Sequence, residues 1–166
     1  MSIRIVTDST CDLPAEIVQE YGITVIPMFI NMNHQSYLDG VEISREEFYK
    51  QLPTAPVTPT TSIPGIETFK KIYKQLISEG ATHILSIHIA GSLSNMINAA
   101  RLTSDEFKEA VVTVFDPGQI SLGPGLVVKK AADLVRQGLH IDQVIEQLKG
   151  FSQRVHSFAS LDTLEF

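Results

Sequence analysis

The sequence predicts an α/β fold in which a mostly parallel β-sheet carries helices on both faces. Two observations lead to this prediction. Short, β-branched apolar runs alternate with longer segments of helical periodicity, and turn or capping residues separate them. Such an alternation favours parallel strands joined by right-handed helical crossovers. The chain has 166 residues and 43% of them are hydrophobic, which is enough for one domain with a substantial core.

The first half of the chain predicts two helices and at least two strands. Pro27 cannot donate a hydrogen bond to a β-ladder, so residues 23–31 form either one strand or two. Ser44 and Glu47 have the spacing of a capping box at a helix start. The predicted elements are a strand at 3–6, a helix with Pro14 in its first turn that ends near Tyr21-Gly22, the stretch 23–31, a turn at Asp39-Gly40, and a helix from Ser44 that ends before Pro53.

The second half shows the alternation of strand and helix more regularly. After a proline-rich loop at 56–64, apolar residues recur at helical spacing from Ile66, and Gly80 ends that helix. The helix after Gly125 is apolar on most sides, which predicts that it is well buried. The remaining predicted elements are a strand at 84–89, a helix from about Leu93 to Phe107, a strand at 110–115, a helix capped by Asp142 that reaches about residue 154, and a strand beginning at 157–161.

Side chains with hydroxyl or carboxyl groups follow the predicted strands. In open α/β sheets ligands bind beyond the carboxyl ends of the strands, and helix N-termini there add free N–H groups. These side chains are Asp8 and Ser9 after the first strand, Ser92 and Ser94 after 84–89, Ser121 after 110–115, and Thr61 and Ser62 in the proline-rich loop. Four such segments at one edge predict a site that holds a carboxylate or phosphate through neutral donors. Each hydroxyl taken singly is better explained as a helix N-cap.

The motifs of common catalytic sites are incomplete. No glycine-rich loop ends in Lys-Ser or Lys-Thr, which excludes a P-loop. Residues 123–128 have Val128 where a dinucleotide fingerprint has glycine, and residues 91–95 do not match the Gly-x-Ser-x-Gly nucleophile elbow. His83 and His88 are five residues apart in a strand pattern, so they face opposite sides. We therefore expect neither a cofactor nor a metal, and a core or strand-end position for His88.

Asp8 and Asp116 leave two interpretations open. They could form a carboxylate pair for acid–base chemistry, since each follows a predicted strand. Alternatively each caps or braces its own turn, which is favoured because neither a nucleophile nor a metal set accompanies them. The residues alone thus indicate a binding protein rather than a catalyst. The proline spacing at 53–59 also fits a polyproline ligand, although that loop leads directly into a helix.

Composition and charge exclude several classes of partner. The net charge is −6 and no basic patch is present, which argues against nucleic acid. No apolar stretch approaches the roughly 20 residues of a membrane span, so we expect no stable membrane insertion. The chain starts with a strand pattern rather than a signal peptide, and the single Cys11 cannot form an internal disulfide. These features predict a cytoplasmic protein in which Cys11 is a bystander.

Four further segments occur in this order: IVTDSTCDLP at 5–14, TPTTSIPGIETF at 58–69, the Leu93-Ser94 turn before INAAR at 97–101, and FDPGQISLGPGL at 115–126. Together they resemble the corresponding segments of the DegV family of bacterial fatty-acid-binding proteins. In addition, FASLDTLEF at 158–166 is similar to the run that opens the family's second domain. The resemblance implies an α/β fatty-acid-binding domain at 1–155 and the start of a truncated second domain at 156–166.

The resemblance also implies a function. One long-chain fatty acid would bind with its tail buried and its carboxylate held by Thr61 and Ser62, with Ser94 beside them. A separate fatty acid kinase protein would phosphorylate that carboxylate with ATP, and the acyl phosphate would enter phospholipid synthesis. The chain itself would then be no enzyme. The family's second domain would close over the ligand and supply a His and an Arg to the head group.

One part of the sequence departs from the family pattern. The turn around Leu93-Ser94 is usually serine-rich and followed by Gly-Thr, whereas this chain has 90–92 as Ala-Gly-Ser and 95–96 as Asn-Met. The departure implies a different ligand choice or head-group geometry. Two other hypotheses come from the residues: a small hydrolase or phosphatase that uses Ser94 or Asp8, which a covalent serine probe would detect, or an inactive fold fragment.

Overall fold

The structure is a computed structural model that describes residues 2–108 and 110–160. It contains two β-sheets and six α-helices within those ranges. The strands are β1 (Ile3–Asp8), β2 (Thr24–Ile26), β3 (Phe29–Met32), β4 (Gln35–Leu38), β5 (Thr60–Ser62), β6 (His83–Ile87) and β7 (Val111–Phe115). The helices are α1 (Ala15–Tyr21), α2 (Arg45–Gln51), α3 (Ile66–Ser78), α4 (Met96–Ser104), α5 (Leu122–Arg136) and α6 (Ile141–Ser152), with short 3₁₀ turns at Ser9–Cys11 and Leu52–Thr54.

The larger sheet is parallel and has the strand order β2-β1-β6-β7. Successive side chains of a strand point to opposite faces, and β1 accordingly buries Ile5 on one face and Val6 on the other. Helices α1, α5 and α6 pack on the face of Ile5, and α3 and α4 pack on the face of Val6. The predicted α/β class, with helices on both faces of a mostly parallel sheet, is confirmed.

The smaller sheet is antiparallel and has the order β4-β3-β5. The stretch 23–31 forms two strands that separate at Pro27, in keeping with the missing N–H of proline. Strands β4 and β5 were not predicted, and residues 60–62 are a strand rather than part of a loop. Neither strand buries a face: every residue of β5 is exposed, so no apolar alternation marks it in the sequence.

Several predicted boundaries differ from the observed ones. Helix α4 begins at Met96 rather than near Leu93, and α5 begins at Leu122, before Gly125. The N-cap of α6 is His140, while Asp142 lies in the first helical turn, so the predicted cap was wrong. The strand predicted from 157 is not formed over 157–160, and residue 161 lies outside the described ranges.

The first turn of α5 packs very closely on the turn that follows β1. A Cβ atom built on Gly125 would lie 2.2 Å from the carbonyl oxygen of Cys11, so only glycine fits this contact. This glycine lets the start of α5 approach the carboxyl end of β1. Within the described ranges, no helix is long and apolar enough to cross a membrane.

Candidate ligand-binding site

The carboxyl ends of three parallel strands lie at one edge of the larger sheet. Strands β1, β6 and β7 are neighbours and run in one direction, so the segments 9–12, 88–95 and 116–121 follow them at the same edge. The segment with Thr61 belongs to the smaller sheet. It reaches this edge through β3, because the Met28 N–H, just before β3, donates to Ser9 Oγ at 3.0 Å. All four hydroxyl-bearing segments are therefore linked to this edge.

A cavity of about 210 Å³ opens between the two sheets and α2. Three hydroxyl-bearing residues, Thr10, Thr60 and Thr61, are part of its lining. The remaining lining residues are Met28, Ile30, Phe48, Tyr49 and Pro59 and the charged Asp12, Asp39 and Arg45. A cavity whose lining combines apolar side chains with hydroxyl and charged groups is suited to a ligand with one polar and one apolar end.

Thr61 and Ser62 point to opposite faces of β5, as adjacent residues of a strand do. Ser62 Oγ accepts a hydrogen bond from the Asn31 amide at 3.4 Å, and Thr60 lies on that same face. Thr61, paired with Ile30, is on the other face and lines the cavity. Within the described part of the chain, the Thr61 hydroxyl has no protein hydrogen-bond partner, so it can bond a ligand.

Ser92 and Ser94 lie in the turn after β6. Ser92 is exposed and Ser94 is half-buried. Ser94 Oγ accepts a hydrogen bond from the Met96 N–H at 3.3 Å, at the start of α4. A serine hydroxyl that accepts in this way retains its O–H donor, which can be directed at an anion.

Asp8 is buried at the end of β1 and is surrounded by donors. Its Oδ1 accepts from the backbone N–H and the hydroxyl of Thr10, and its Oδ2 accepts from His88 Nδ1 at 3.0 Å and the Ile89 N–H at 3.1 Å. Burial raises the pKa of the Asp8 carboxyl, but the hydrogen bond and electrostatic attraction of His88 and the hydrogen bonds from Thr10 and Ile89 outweigh this effect, so the pKa lies below its ordinary value. Asp8 is an anion whose four acceptor sites are occupied by protein groups.

A chain of hydrogen bonds continues from Asp8 into the core. His88 Nε2 is 2.7 Å from Ser86 Oγ, which is 2.8 Å from the Tyr73 hydroxyl. The order of Asp8, His88 and Ser86 matches that of a Ser-His-Asp triad, but all three side chains are fully buried and Ser86 is also bonded to Tyr73. No substrate can reach Ser86 in this conformation. His88 therefore occupies the predicted strand-end position.

Asp116 and Ser121 brace the same edge through other contacts. Asp116 accepts hydrogen bonds from the N–H groups of Gly91, at 3.1 Å, and Gly118, at 2.8 Å. These contacts match the interpretation in which Asp8 and Asp116 each hold backbone turns. Ser121 Oγ donates to Asp12 Oδ2 at 2.6 Å. The backbone of Ser121 has φ 59° and ψ −130°, a conformation that favours glycine.

Arg45 also lines the cavity, although no pattern in the sequence predicted it as a site residue. Its guanidinium forms an ion pair with Asp12 and also donates to the carbonyl of Ser9 at 3.4 Å. Arg45 directly follows Ser44, whose Oγ caps α2 by accepting from the Glu47 N–H at 3.1 Å. The first residue of α2 after its N-cap thus places a cation at the site.

The described residues give little support for metal-dependent or thiol chemistry. No group of three or more His, Cys, Asp or Glu side chains that could hold a metal ion is found among them. Cys11 is buried, and its burial raises the pKa of the thiol. A raised pKa keeps the thiol protonated and weakly nucleophilic.

Comparison with known proteins gives a consistent family. A model described as "Uncharacterised protein, DegV family" matches residues 2–166. A DegV domain-containing protein of Deinococcus radiodurans is 38% identical over 166 residues, which are 100% of this chain and 58% of that protein. The chain therefore spans a little over half the length of this relative.

Solved structures share the fold. A DegV family protein from Thermus thermophilus, described by its fatty acid binding, has a TM-score of 0.85 and 36% identity over 92% of this chain and 54% of that one. The Fatty Acid Kinase (Fak) B3 protein of Streptococcus pneumoniae, loaded with linoleic acid, has a TM-score of 0.76 over 92% of this chain and 55% of that one. Its identity of 23% demonstrates likeness of fold alone.

Proposed function

The chain belongs to the DegV family, and on that premise we propose that it binds one long-chain fatty acid at the carboxyl edge of its parallel sheet. The observation that carries the proposal is the Thr61 hydroxyl, which lies in the cavity at that edge and has no hydrogen-bond partner among the residues that the structure describes. The Thermus relative, described by its fatty acid binding, supports the class of ligand.

The carboxylate head group would be held by neutral donors. Thr61 is the first of these, and Ser94 retains a free O–H donor in the turn after β6. Ser62 and Ser92 are further candidates, although Ser62 already accepts from Asn31. Hydroxyl groups bind both the charged and the protonated forms of a carboxylic acid, so this arrangement avoids leaving an uncompensated charge in an apolar site.

The acyl tail would need more space than the cavity offers. Pockets for organic ligands commonly occupy about 300–1,000 Å³, against about 210 Å³ here. The same edge exposes large apolar side chains, including Leu93 at 60% and Leu122 at 56%. Covering such side chains with an acyl chain is favourable by about 0.8 kcal/mol per buried CH₂ group. We propose that the tail runs from the cavity over these residues.

The bound carboxylate would be presented to a separate fatty acid kinase protein. The sequence has no P-loop, and phosphoryl transfer requires a site that positions nucleotide and metal. A partner must then supply both, and the acyl phosphate would enter phospholipid synthesis. In this proposal the chain is a binding subunit in the cytoplasm, residues 1–155 form the lipid-binding domain, and residues 156–166 start a second one.

Lipid extraction tests the proposal directly. The purified chain would be extracted with organic solvent, and the extract analysed by mass spectrometry beside the full-length Thermus protein as a positive control. We expect a fatty acid in near-stoichiometric amount, or stoichiometric uptake of added palmitate. If no lipid co-purifies with the chain and it takes up no palmitate while the control protein is loaded, fatty acid binding by this chain is refuted. A covalent serine probe that labels Ser94 would favour the hydrolase hypothesis instead.

A further inference from the structure

The two oxygens of Asp8 hold different segments of the site edge. Oδ2 bonds the segment after β6, through His88 and the Ile89 N–H. Oδ1 bonds the turn after β1, through the N–H and hydroxyl of Thr10. A carboxylate offers about four acceptor sites, so Asp8 has none left for a ligand. It is the junction of two structural arms that lead to different candidate ligand contacts.

The first arm, called here the Ser94 arm, comprises residues 88–94. The Ile89 N–H is fixed by Asp8, and the next residue, Ala90, uses its carbonyl to accept from the Leu93 N–H at 2.9 Å and the Ser94 N–H at 3.1 Å. The carbonyl of Gln119 also accepts from the Ala90 N–H at 3.0 Å. The hydrogen bonds of this turn thus fix the position of Ser94 relative to Ile89.

The second arm, called here the Thr61 arm, comprises residues 9–10, 28–30 and 60–62. Thr10 bonds Asp8, and this turn directs Ser9 Oγ to accept from the Met28 N–H at 3.0 Å. Met28 precedes β3, in which Ile30 pairs with Thr61. One hydrogen bond and one strand pairing thus fix the position of Thr61 relative to Ser9.

We propose that Asp8 is a positioning residue that sets the distance between Ser94 and Thr61. The inference rests on the proposed function for the ligand that these hydroxyls share. Asp8 itself touches no ligand, because its side chain is 1% exposed and each oxygen already accepts two hydrogen bonds. The two donors would keep a fixed separation that suits one small anionic head group, and a change at Asp8 would alter both arms together.

An asparagine at this position cannot replace the carboxylate. The amide has one oxygen, whereas backbone N–H donors approach from both sides, from Thr10 and from Ile89. Whichever way the amide turns, its NH₂ group faces one of these N–H donors, so that arm is released. The other arm exchanges a charged acceptor for a weaker neutral one, so both arms are altered. Asp8→Asn is therefore nearly isosteric and selectively breaks the junction.

Two further variants distinguish a role of Asp8 in joining both arms from a role in holding a single turn. Asp116→Asn is the matched control. Asp116 also bonds two backbone N–H groups, of Gly91 and Gly118, and among the described residues it has no hydrogen bond to the Thr61 arm. Ser9→Ala removes the hydrogen bond between Met28 and Ser9 and so breaks the Thr61 arm without changing Asp8. It provides the test if Asp8→Asn does not fold. The measurements are backbone amide chemical shifts and hydrogen exchange of each arm, and titration with palmitate labelled with ¹³C at its carboxyl carbon.

The expected results differ for each variant. Asp8→Asn shifts amide signals in both arms, weakens palmitate binding about tenfold or more, and changes the ¹³C shift of the bound carboxyl. Asp116→Asn shifts signals of the Ser94 arm and leaves Thr61 unchanged. Ser9→Ala shifts Met28 and Thr61 and leaves Ile89 unchanged.

The inference is overturned if Asp8→Asn alters only one arm, or if it binds palmitate as wild type does with an unchanged carboxyl signal. If Asp8→Asn is unfolded, an unchanged Thr61 signal in Ser9→Ala overturns it. A wild-type chain that takes up no palmitate refutes the proposed function, and the amide signals of the two arms then decide the junction on their own.

Discussion

Asp8 Oδ2 and His88 Nδ1 lie 3.0 Å apart, although 80 residues separate them in the chain and neither side chain reaches solvent. This contact joins the ends of β1 and β6 and begins the hydrogen-bond chain to Tyr73. It places a carboxylate whose pKa is lowered in the centre of the site edge. The stability of the fold should therefore depend on the charge of Asp8.

The first prediction concerns stability at low pH. A carboxyl whose pKa is lower in the folded than in the unfolded state, where it is about 3.9, stabilises the fold above that pH and loses this contribution as pH falls through the folded pKa. We expect Asp8→Asn to reduce the free energy of unfolding at neutral pH by about 1–3 kcal/mol. The deficit relative to wild type should shrink as pH falls below about 4.

Urea denaturation at a series of pH values measures this effect. Asp142→Asn is the control, because the Asp142 side chain is 93% exposed. An Asp8→Asn deficit that stayed constant down to the lowest pH would contradict the assigned charge of Asp8.

The second prediction concerns Tyr73. Burial raises the pKa of its hydroxyl to about 12, and the hydrogen bond with Ser86 lowers it only in part. An unfolded tyrosine ionises near pH 10, so the unfolded state is favoured as pH rises from about 10 towards 12. Wild type should lose about 2–3 kcal/mol of stability over this range that Tyr73→Phe does not lose. Denaturation of both proteins at alkaline pH provides the comparison. If their free energies of unfolding changed equally with pH, the raised pKa of the Tyr73 hydroxyl would be contradicted.

The third prediction concerns the contact of α5 with the turn after β1. Gly125→Ala would place a methyl carbon 2.2 Å from the backbone oxygen of Cys11, and overpacking of this kind costs about 1–3 kcal/mol or more. Gly150→Ala is the matched control, because that glycine lies in α6 with nothing within 4 Å of its added carbon. The control should stabilise the protein by about 0.5–1 kcal/mol. Thermal denaturation separates the two, and equal effects would contradict the close approach.

The fourth prediction concerns ligand affinity. Thr61→Val keeps the shape of the side chain and removes the hydroxyl that lines the cavity. A hydrogen bond to a charged group is worth about 1.5–3 kcal/mol, so affinity for palmitate should fall by about 10-fold to 150-fold. Thr58→Val changes a threonine that is not among the residues lining this cavity and should bind as wild type does. Calorimetric titration measures both, and equal affinities would remove Thr61 from the head-group site.

The fifth prediction concerns the backbone of Ser121. Ser121→Ala loses the hydrogen bond to Asp12 and keeps the unfavourable conformation, whereas Ser121→Gly loses the same bond and relieves it. The glycine variant should be more stable than the alanine variant by about 1 kcal/mol or more. Denaturant unfolding of the pair gives this difference directly. A glycine variant no more stable than alanine would show that the φ of 59° carries no strain.

The sequence predicts the parts of the fold that bury apolar surface. Strands β1, β6 and β7 are apolar because they are covered by helices on both faces, and their periodicity identifies them. The parallel topology then brings the segments after these strands to one edge, as the sequence analysis expected. Strand β5 was not predicted because its three residues are exposed and polar, so they show no apolar pattern.

The details of the site depend on partners distant in the chain. The burial of Asp8 requires His88, and the cavity at Thr61 requires Arg45 and Phe48 of α2. The sequence pattern around each of these residues contains no information about contacts with residues distant in the chain. The opposite orientations of Thr61 and Ser62 follow from a strand that the sequence did not reveal, so the sequence identified the hydroxyl groups but not which of them faces the cavity.

The pairing of β1 with β6 also has a consequence for the order of folding. β3 and β4 are joined by a tight turn, since Met32 pairs with Gln35, whereas Ile3 pairs with His83. Contacts of high sequence separation form slowly, because a long loop must close before any pairing energy is gained. During synthesis β1 is made before β6, so the edge of β1 that pairs with β6 stays unpaired until β6 emerges from the ribosome. The antiparallel hairpin can meanwhile be complete, and the Asp8 carboxylate stays hydrated until His88 has been made.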